Sequence, residues 1–354
     1  MHDFPPKPMS LKELARHLEL SQSTVSRIVN GGGTAHRIAK ETQERVLDAA
    51  AQFGYSANSV ARSLRQKRTY TIGVIVPEIS EGYSTAVLSG IEDELLQNGF
   101  FYFVVSHRHR AELLKAYPRM MLARSVEGII AVDSALEQEL CIPLVSVSGQ
   151  KRREGVINIE LHHDQAARLA LEHLQSLGHT RIAFIKGQSF SSDTDRRWRA
   201  IVAAAATLGV EIDPDLVVQL EGPEPGPRLG SEVTRELLKA GKTFSAIFAF
   251  NDVAAVGAML ALREAGLRVP EDVSVLGFDD VPMAAVSNPP LTTIHQPLRS
   301  MGQAAAATLL GLISNSIPEP RPPVIMVYPK LVVRESTGPS FVYAPIHAPV
   351  LSAM

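Results

Sequence analysis

Residues 10–31 read SLKELARHLELSQSTVSRIVNG, and this stretch decides how the start of the chain folds. It contains two serines, Ser10 and Ser21, that are suitable N-caps of helices. After each serine the apolar residues recur at helical spacing, first Leu11, Leu14, Ala15 and Leu18, and then Val25, Ile28 and Val29. The pattern predicts two short helices that meet across a tight turn.

A third helical pattern covers residues 40–53 and ends at Gly54, a residue suited to a left-handed helix cap. It places Val46, Leu47 and Ala50 on the inner face of the predicted helix. Ala39, just before this helix, has no hydroxyl, so we expect its first turn to be less stable by about 1 kcal/mol. Together the three patterns predict a small all-α bundle.

Basic charge is concentrated in the same region. Residues 1–70 hold 11 Lys and Arg against 6 Asp and Glu, a balance of +5, whereas the rest of the chain has a balance of −7. The outward side of the second helix offers Gln22, Ser23, Ser26 and Arg27, whose amide, hydroxyl and guanidinium groups suit base edges and phosphates. These features predict double-stranded DNA as the partner. The alternative is a bundle that docks on another protein.

The stretch 10–31 and its continuation over residues 41–77, ETQERVLDAAAQFGYSANSVARSLRQKRTYTIGVIVP, resemble the helix-turn-helix region of the LacI/GalR (lactose-repressor/galactose-repressor) family. The resemblance implies that Gln22, Ser23 and Arg27 face the major groove. It also implies that a larger set contacts the DNA backbone: Ser10, Leu11, Ser21, Thr24, Ser26, Asn30, Thr42, Tyr55 and Asn58. The connection around residues 31–37 is longer than is usual in the family, and its effect is open.

Residues 58–64 read NSVARSL and predict about two turns of helix, too short to be stable alone. In the family that the chain resembles, two such hinge helices of a dimer pair on DNA and insert leucines into the minor groove. The resemblance assigns the leucine role to Leu64 and the close contact between the two helices to Ala61. The alternative is that Leu64 packs the linker onto the rest of the protein.

From residue 71 onward, short β-branched runs alternate with amphipathic helical patterns. The runs include TIGVIV, FFYFVV, GIIAV and PLVSV, followed by RIAFIKG, SAIFAF and VSVLGF. This alternation predicts parallel sheets with crossover helices, and the break near residue 160 predicts two α/β lobes. The region resembles the periplasmic-binding-protein-like fold throughout. The expected fold class is therefore an all-α helix-turn-helix head followed by a two-lobed α/β core.

We expect the following domain boundaries. Residues 1–57 form the DNA-binding head, and residues 58–70 form the hinge helix and linker. Residues 71–336 form the effector-binding and dimerisation core. Its first lobe covers residues 71–160 and 297–323, and its second lobe covers residues 161–296 and 324–336. Residues 337–354 are expected to be a disordered tail.

Ligands of open parallel sheets bind beyond the carboxyl ends of the strands. Tyr83, Arg197, Asn251, Asp252 and Asp279 all follow or end predicted strands. Carboxylates accept hydroxyl protons, arginine donates to oxygens, and an aromatic ring covers the apolar face of a sugar. These residues therefore predict a cleft for a polyhydroxylated ligand. The alternative for Asn251 or Asp252 is to cap the helix that follows.

Residues 248–302, FAFNDVAAVGAMLALREAGLRVPEDVSVLGFDDVPMAAVSNPPLTTIHQPLRSMG, are similar to the corresponding part of the same family. The resemblance implies that Asn251, Asp252 and Asp279 contact an effector, together with Arg197. Ser148 stands where many members carry Asp, while Tyr83 retains an aromatic residue, and we expect both in the effector site. Because of such departures, the identity of the effector cannot be transferred from any relative.

The other functional classes lack their motifs. No G-x-S-x-G, Walker or G-x-G-x-x-G sequence follows a strand, so no enzyme activity and no cofactor are expected. The histidines His107, His109, His162 and His163 lack companion ligands at metal-binding spacing, which predicts no metal site. Cys141 lies in an apolar context and is expected to be a buried, inert thiol. No apolar run of about 18 residues and no signal-like start are present, so we expect a cytoplasmic protein without a membrane partner.

The sequence thus predicts a homodimeric transcriptional regulator, expected to be a repressor, that binds a palindromic operator and is controlled allosterically by a small-molecule effector, a sugar or sugar derivative. The direction of the effector response and the regulated genes are open. A sugar-binding transport component and an enzyme built on two α/β lobes are the alternatives from other classes.

Overall fold

A computed structural model of the protein describes residues 9–29, 37–55, 68–79, 82–148, 153–222 and 226–340. The chain divides into two compact units, Met1–Thr69 and Tyr70–Met354, and each is described by itself. None of the helices within these described ranges is both long and apolar enough to span a bilayer.

Within its described residues, the first unit contains three α-helices, α1 (Leu11–His17), α2 (Gln22–Val29) and α3 (Lys40–Gln52). They pack around a small core of Leu14, Ala15, Leu18, Val25, Ile28, Val46, Ala49 and Ala50. The helix after Ala39 has no side-chain cap, as expected from the sequence, and Gly54 follows its end with φ 62°. The expected inner position of Leu47 is wrong. Its side chain is 50% exposed, because Val46, Ala49 and Ala50 fill the space that faces the other two helices.

The second unit contains twelve strands and eight α-helices within the described ranges. The strands are β1 (Thr71–Val76), β2 (Phe101–Ser106), β3 (Gly128–Val132), β4 (Leu144–Val147), β5 (Val156–Leu161), β6 (Ile182–Lys186), β7 (Val217–Gln219), β8 (Ala246–Ala249), β9 (Ser274–Asp279), β10 (Thr292–His295), β11 (Val324–Val327) and β12 (Lys330–Val332). The helices are α4 (Gly82–Gln97), α5 (Ala111–Leu122), α6 (His163–Ser176), α7 (Ser192–Leu208), α8 (Arg228–Lys239), α9 (Asp252–Glu264), α10 (Pro282–Val286) and α11 (Leu298–Ile313), and a 3₁₀ helix covers Pro214–Leu216.

The strands form two six-stranded sheets, with the orders β11-β5-β4-β3-β1-β2 and β12-β10-β9-β8-β6-β7. All pairs are parallel except β10 with β12. Helices cover both faces of each sheet, which explains why most central strands are apolar runs rather than alternating patterns. The expected two-lobed α/β core is confirmed.

Lobe 1 is defined here as the first sheet with α4, α5 and α11, and lobe 2 as the second sheet with α6 to α10. The expected assignment of residues 324–327 to lobe 2 is wrong. They form β11, which pairs in parallel with β5 in lobe 1, with Ile325 opposite Ile159. Only β12 returns to lobe 2. The chain therefore passes between the lobes three times, after β5, after β10 and after β11.

In each lobe, glycine brings one pair of helices into close contact. In lobe 1 a Cβ atom on Gly90 of α4 would overlap the carbonyl oxygen of Arg299 at the start of α11. In lobe 2 a Cβ atom on Gly257 of α9 would overlap the carbonyl oxygen of Pro227, just before α8. Glycine at these positions lets the two helix backbones approach each other more closely than any side chain allows.

Residues 337–340 are part of lobe 2, so the expected start of a disordered tail at residue 337 is wrong. The Gly338 amide donates to Ser274 Oγ (3.0 Å), and the Ser340 amide donates to the carbonyl oxygen of Leu177 (2.7 Å). Residues 341–354 lie outside the described residues. A second expectation is also wrong, because Cys141 is exposed rather than buried.

Candidate DNA-binding face and effector cleft

The outward face of α2 consists of the residues predicted to read DNA. Gln22, Ser23 and Arg27 are exposed, while Val25 and Ile28 are buried against α1 and α3. Helical spacing produces this division, because residues three and four positions apart share a face. The arrangement presents an amide, a hydroxyl and a guanidinium on the exposed side of α2, where they can approach base edges.

The hydroxyls at the helix starts fix the two helices. Ser10 Oγ accepts a hydrogen bond from the Glu13 amide, and the Glu13 carboxylate accepts one from the Ser10 amide (2.8 Å), so α1 begins with a capping box. Ser21 Oγ accepts a hydrogen bond from the Thr24 amide (3.1 Å) and lies 2.8 Å from the Ser23 hydroxyl. The serines that the sequence analysis assigns to the DNA backbone therefore also hold α1 and α2 in place.

The remaining predicted DNA-binding residues divide into two groups. Leu11 and Tyr55 pack against the core of the head, and burial raises the pKa of the Tyr55 hydroxyl. Ser26 and Thr42 are half-buried. The second group, Asn30, Asn58, Ala61 and Leu64, lies outside the described residues, as do residues 31–36 of the longer connection.

A cleft opens where the carboxyl ends of strands from both lobes meet. It encloses about 670 Å³, part of it open to solvent. Its walls come from the residues that end or follow β1, β2 and β3 in lobe 1 and β6, β8 and β9 in lobe 2: Pro77, Glu78, Tyr83, Ser84, His109, Asp133, Gln188, Phe190, Ser191, Asp193, Arg197, Phe250, Asn251 and Asp279. This is the position at which parallel sheets bind ligands.

Arg197 of α7 occupies the centre of the lobe 2 wall. Its guanidinium lies between the rings of Phe250 and Phe278, at 4.3 and 3.6 Å from their centroids. One end donates to the Phe250 carbonyl oxygen, and Nη2 lies 3.7 Å from carboxylate oxygens of both Asp193 and Asp279. The contacts fix this side chain from several directions, so a ligand meets a preorganised donor.

The two carboxyls beside Arg197 differ in protonation. Burial alone disfavours ionisation of Asp193, but His163 and then Arg197 outweigh it and lower the pKa of this carboxyl. Burial raises the pKa of Asp279 to about 8, although Arg197 opposes this shift. Gln296 Nε2 donates to Asp279 Oδ1 (2.6 Å). Near neutral pH the cleft therefore offers one ionised and one protonated carboxyl, an acceptor and a donor.

Three further predicted effector residues lie at or beside the cleft. Tyr83 lines it, and burial raises the pKa of its hydroxyl well above the usual value. Ser148 is buried with its side chain close to the Tyr83 hydroxyl, one layer behind the cleft surface. Asn251 lines the cleft and also caps α9, because its Oδ1 accepts a hydrogen bond from the Ala254 amide (2.8 Å).

The structure does not bring Asp252 to the cleft. Its side chain is fully buried inside lobe 2, where Oδ2 accepts a hydrogen bond from the Val281 amide (2.8 Å) and Oδ1 accepts one from the Thr293 hydroxyl (2.5 Å). Gly277 leaves the room that this carboxyl occupies. Asp252 therefore ties α9 to the segment before α10 and to β10, and the expectation of a direct effector contact is wrong.

Most of the cleft residues, Asp193 among them, were not named from the sequence, and three of these follow strands directly. His109 follows β2, Asp133 follows β3 and Phe250 follows β8. The rule that identified Arg197 and Asp279 finds them too when it is applied to every strand. His109 also contacts the opposite lobe, because its ring centroid lies 4.2 Å from that of Phe190. The sequence predicts no metal site. Among the described residues, no three or more His, Cys, Asp or Glu side chains are grouped so that they could hold a metal ion.

Two family models match the chain. Residues 10–58 match the model described as bacterial regulatory proteins, lacI family, and residues 171–337 match a periplasmic binding protein-like domain. The first covers the helices that carry the candidate DNA-binding face. The second covers most of lobe 2 and the segments that return to it.

Full-length relatives give the same result. The chain is 32% identical to the HTH-type transcriptional repressor PurR of Aliivibrio fischeri (strain MJ11) over 92% of its own length and 98% of the relative's. Among solved structures, the Lac repressor dimer bound to operator and the anti-inducer ONPF is 28% identical, with a TM-score of 0.81 over 94% of this chain and all of that chain. The transcriptional regulator CelR in complex with cellobiose is 26% identical, with a TM-score of 0.68 over 93% and 99% of the two chains. The chain therefore belongs to the lacI family of bacterial regulatory proteins, and it is a DNA-binding transcriptional repressor rather than an enzyme.

Proposed function

We propose that this repressor is a homodimer that binds a palindromic operator in the cytoplasm and responds to a small-molecule effector held in the cleft between its lobes. The observation that carries the proposal is the convergence of Arg197, Asp193 and Asp279 with residues of lobe 1 around one cleft. An effector that contacts both lobes binds their closed arrangement better than an open one. Its binding therefore shifts the equilibrium between the two arrangements, which is the energetic basis of an allosteric response.

The head supplies sequence recognition in this proposal. Arg27 on the exposed face of α2 suits a guanine, and Gln22 suits an adenine. Ser10, Leu11, Ser21, Thr24, Ser26, Asn30, Thr42, Tyr55 and Asn58 are assigned to the DNA backbone. The roles of Ala61 and Leu64 in the hinge rest on the family resemblance. Two heads double the positive charge, so operator affinity is expected to fall steeply as salt is added.

Operator binding can be tested without knowing the regulated genes. Full-length protein is used to select binding sites from a random duplex library, and affinities are measured by fluorescence anisotropy. Arg27→Ala should relax the preference for one base in each half-site, whereas the matched variant Arg45→Ala, which removes an exposed charge from α3, should leave base preference unchanged. A selection without symmetric half-sites would contradict the dimeric operator model.

The dimer has support from exposed apolar side chains. Phe101 on the edge strand β2 is 66% exposed, and Val286 at the end of α10 is 82% exposed. Each side chain is therefore a candidate contact between subunits, and Val286 is the more exposed of the two. Sedimentation velocity should give a dimer that Val286→Asp weakens. Val202→Asp on the outer face of α7 is the matched control, and equal effects of both variants would count against this interface.

A carbohydrate is the effector class that we favour. The Arg197 guanidinium, the Asn251 amide and the two carboxyls provide donors and acceptors for hydroxyl groups, and Tyr83 and Phe250 provide ring faces. CelR, with the same fold, was solved with cellobiose. Ser148 supports the position of Tyr83 in this assignment.

A purine is the second candidate. The cleft contains four ring side chains, Tyr83, His109, Phe190 and Phe250, which suit stacking on a planar heterocycle. The relatives that carry the name PurR motivate its inclusion in a screen. The two candidates are distinguished by whether sugars or purines raise the thermal stability of the protein.

A thermal-shift screen of mono- and oligosaccharides, nucleobases and nucleosides tests the effector proposal. Hits are then titrated against the protein on its selected operator. Arg197→Ala should abolish the shift, and Arg199→Ala, which removes an exposed guanidinium from the same helix, should preserve it. A ligand that binds equally well to Arg197→Ala would place the effector site elsewhere.

A further inference from the structure

The charges around the cleft restrict the chemical class of the effector. We infer that the effector carries no negative charge and that the cleft rejects phosphorylated and carboxylated molecules in favour of their neutral or amino-substituted counterparts. This inference rests on the proposed function, because it concerns the same cleft. Within a series of matched ligands, the amino-substituted member should bind at least as tightly as the neutral member. The neutral member should bind more tightly than the anionic member.

Acidic residues surround the cleft from both lobes. Glu78 and Asp133 contribute carboxyls from lobe 1, and Asp193 and Asp279 contribute carboxyls from lobe 2. Arg197 is the only Lys or Arg among the described residues that line it. The pKa of Asp279 is about 8 because of burial, and burial lowers the pKa of His109, so both side chains are neutral near pH 7. Among the described residues that line the cleft, the carboxylates of Glu78, Asp133 and Asp193 then stand against one guanidinium.

The guanidinium charge is already offset by carboxyl groups of the protein. The rings of Phe250 and Phe278 lie against it, Nη1 donates to the Phe250 carbonyl oxygen, and Nη2 lies 3.7 Å from carboxylate oxygens of Asp193 and Asp279. Recognition of a phosphate or carboxylate by arginine normally uses two parallel donors on a free edge. In this cleft that edge is shared with carboxyl groups of the protein itself.

Two deeply buried atoms remain to meet a ligand. Arg197 and Asp193 are each 4% exposed, and both line the cleft. Arg197 Nε has no hydrogen-bond partner among the described residues, and neither has Asp193 Oδ1, which lies 3.7 Å from His163 Nε2. One donor and one charged acceptor in the same wall suit a hydroxyl group, which both accepts and donates, or an amine, which donates. An anion brings acceptors only.

Isothermal titration with matched series tests the rank order. Each series contains a neutral sugar, its 2-amino form, its uronic acid and its 6-phosphate, and a second set compares nucleosides with their monophosphates. Anionic members should bind at least about tenfold more weakly than the neutral member. An anionic member that binds as tightly as its neutral counterpart overturns the inference. If no member of any series binds, the proposed effector class fails, and the next experiment decides the inference alone.

The second experiment measures the charge of the cleft directly. A single cysteine is introduced at Phe190, which lines the cleft, in the Cys141→Ser background, and the full-length protein reacts with methanethiosulfonates carrying a trimethylammonium or a sulfonate group. Rates are normalised to those of a small free thiol. The cationic reagent should react at least about tenfold faster than the anionic reagent. Equal rates, or a faster anionic reagent, overturn the inference whatever the ligand is.

A matched variant assigns the effect to the carboxylates. Glu78→Gln and Asp133→Asn, combined in the Phe190→Cys background, preserve shape and remove two charges from lobe 1. The preference for the cationic reagent should fall severalfold. A preference that persists unchanged contradicts the assignment of the field to these carboxylates. The Cys141→Ser parent, which has no cysteine, shows that labelling occurs at the introduced position.

Discussion

The two lobes share one architecture but contribute different chemistry to the cleft. Each has a six-stranded sheet, helices on both faces and one glycine-mediated helix contact. At the cleft, however, lobe 2 presents Asp193, Arg197 and Asp279, all at least 94% buried, whereas the lobe 1 residues Glu78 and Asp133 are half-buried. The fold thus provides two equivalent rims, and the side chains at the strand ends give each rim its own role.

Lobe 2 is the preorganised rim. Arg197 is fixed by two rings, a carbonyl and two carboxyls, and Gln296 holds Asp279. The lobe 1 rim consists of short loops after β2 and β3, in which His109 and Asp133 are only half-buried. We therefore expect lobe 2 to determine ligand affinity, and lobe 1 to act as the cover that closes on the ligand.

The largest expected effect is on the interior of lobe 2. Asp252→Ala leaves the Val281 amide and the Thr293 hydroxyl buried without their acceptor, so the free energy of unfolding should fall by about 3 kcal/mol. Urea denaturation followed by circular dichroism measures it. Glu264→Ala at the exposed end of the same helix should change it by less than about 0.5 kcal/mol. If Asp252→Ala keeps full stability and loses only the effector response, Asp252 is a ligand contact after all.

The helix contacts test whether the lobes are equivalent. Gly90→Ala in lobe 1 and Gly257→Ala in lobe 2 each force a methyl group onto a backbone carbonyl, and each should lower the free energy of unfolding by about 2 kcal/mol. The two variants are compared in the same urea titrations. A fall in the free energy of unfolding in only one of the two variants would show that the helix pairs differ in how easily they move apart.

Ligand affinity should depend on the two rims unequally. Arg197→Ala removes the fixed donor of lobe 2 and should weaken effector binding by about tenfold to a hundredfold, because a buried charge-assisted hydrogen bond contributes roughly 1.5–3 kcal/mol. His109→Ala removes one ring contact across the cleft and should weaken effector binding only a few-fold. Titration calorimetry with a screened ligand measures both. The reverse order would make lobe 1 the binding rim.

A pH dependence is also expected from lobe 2. The pKa of Asp279 is raised to about 8 in the folded protein, so between about pH 4 and 8 the folded state holds a proton that the unfolded chain releases. This contribution to stability is fully present below about pH 4 and is lost as the pH rises through 8. Thermal unfolding between pH 5.5 and 9 should show stability that falls by up to about 1.4 kcal/mol per pH unit and levels off above pH 8. Asp279→Asn should reduce this fall, and Asp252, whose pKa is raised to about 7, accounts for a remainder. An unchanged slope in Asp279→Asn would contradict the assignment.

Local patterns predicted the head and the lobes well, because their signals lie within short stretches. The capping box of Ser10 needs only Glu13, three residues away, and the strand-end rule needs only the order of apolar runs. Arg197, Asn251, Asp279 and Tyr83 were found in this way.

The errors concern partners that are distant in the sequence. Asp252 looks like a ligand contact until Thr293, 41 residues later, is seen to donate to it. The position of β11 depends on pairing with β5, far back in the chain, and a run of four apolar residues fits either sheet. Leu47 and Cys141 were misplaced because apolar spacing identifies a face but not whether anything covers it.

The anchored segment after β12 sets a limit on how far this protein can be shortened. Ser336 is fully buried between Thr292 and Val275, and His179 contacts the Gly338 carbonyl. A premature stop codon before residue 336 would remove the hydrogen bonds that join β9, β10 and the end of α6 through this segment. A stop codon after Ser340 would spare every one of these bonds, so the most damaging nonsense mutations near the end of the gene are separated from the mildest by only a few codons.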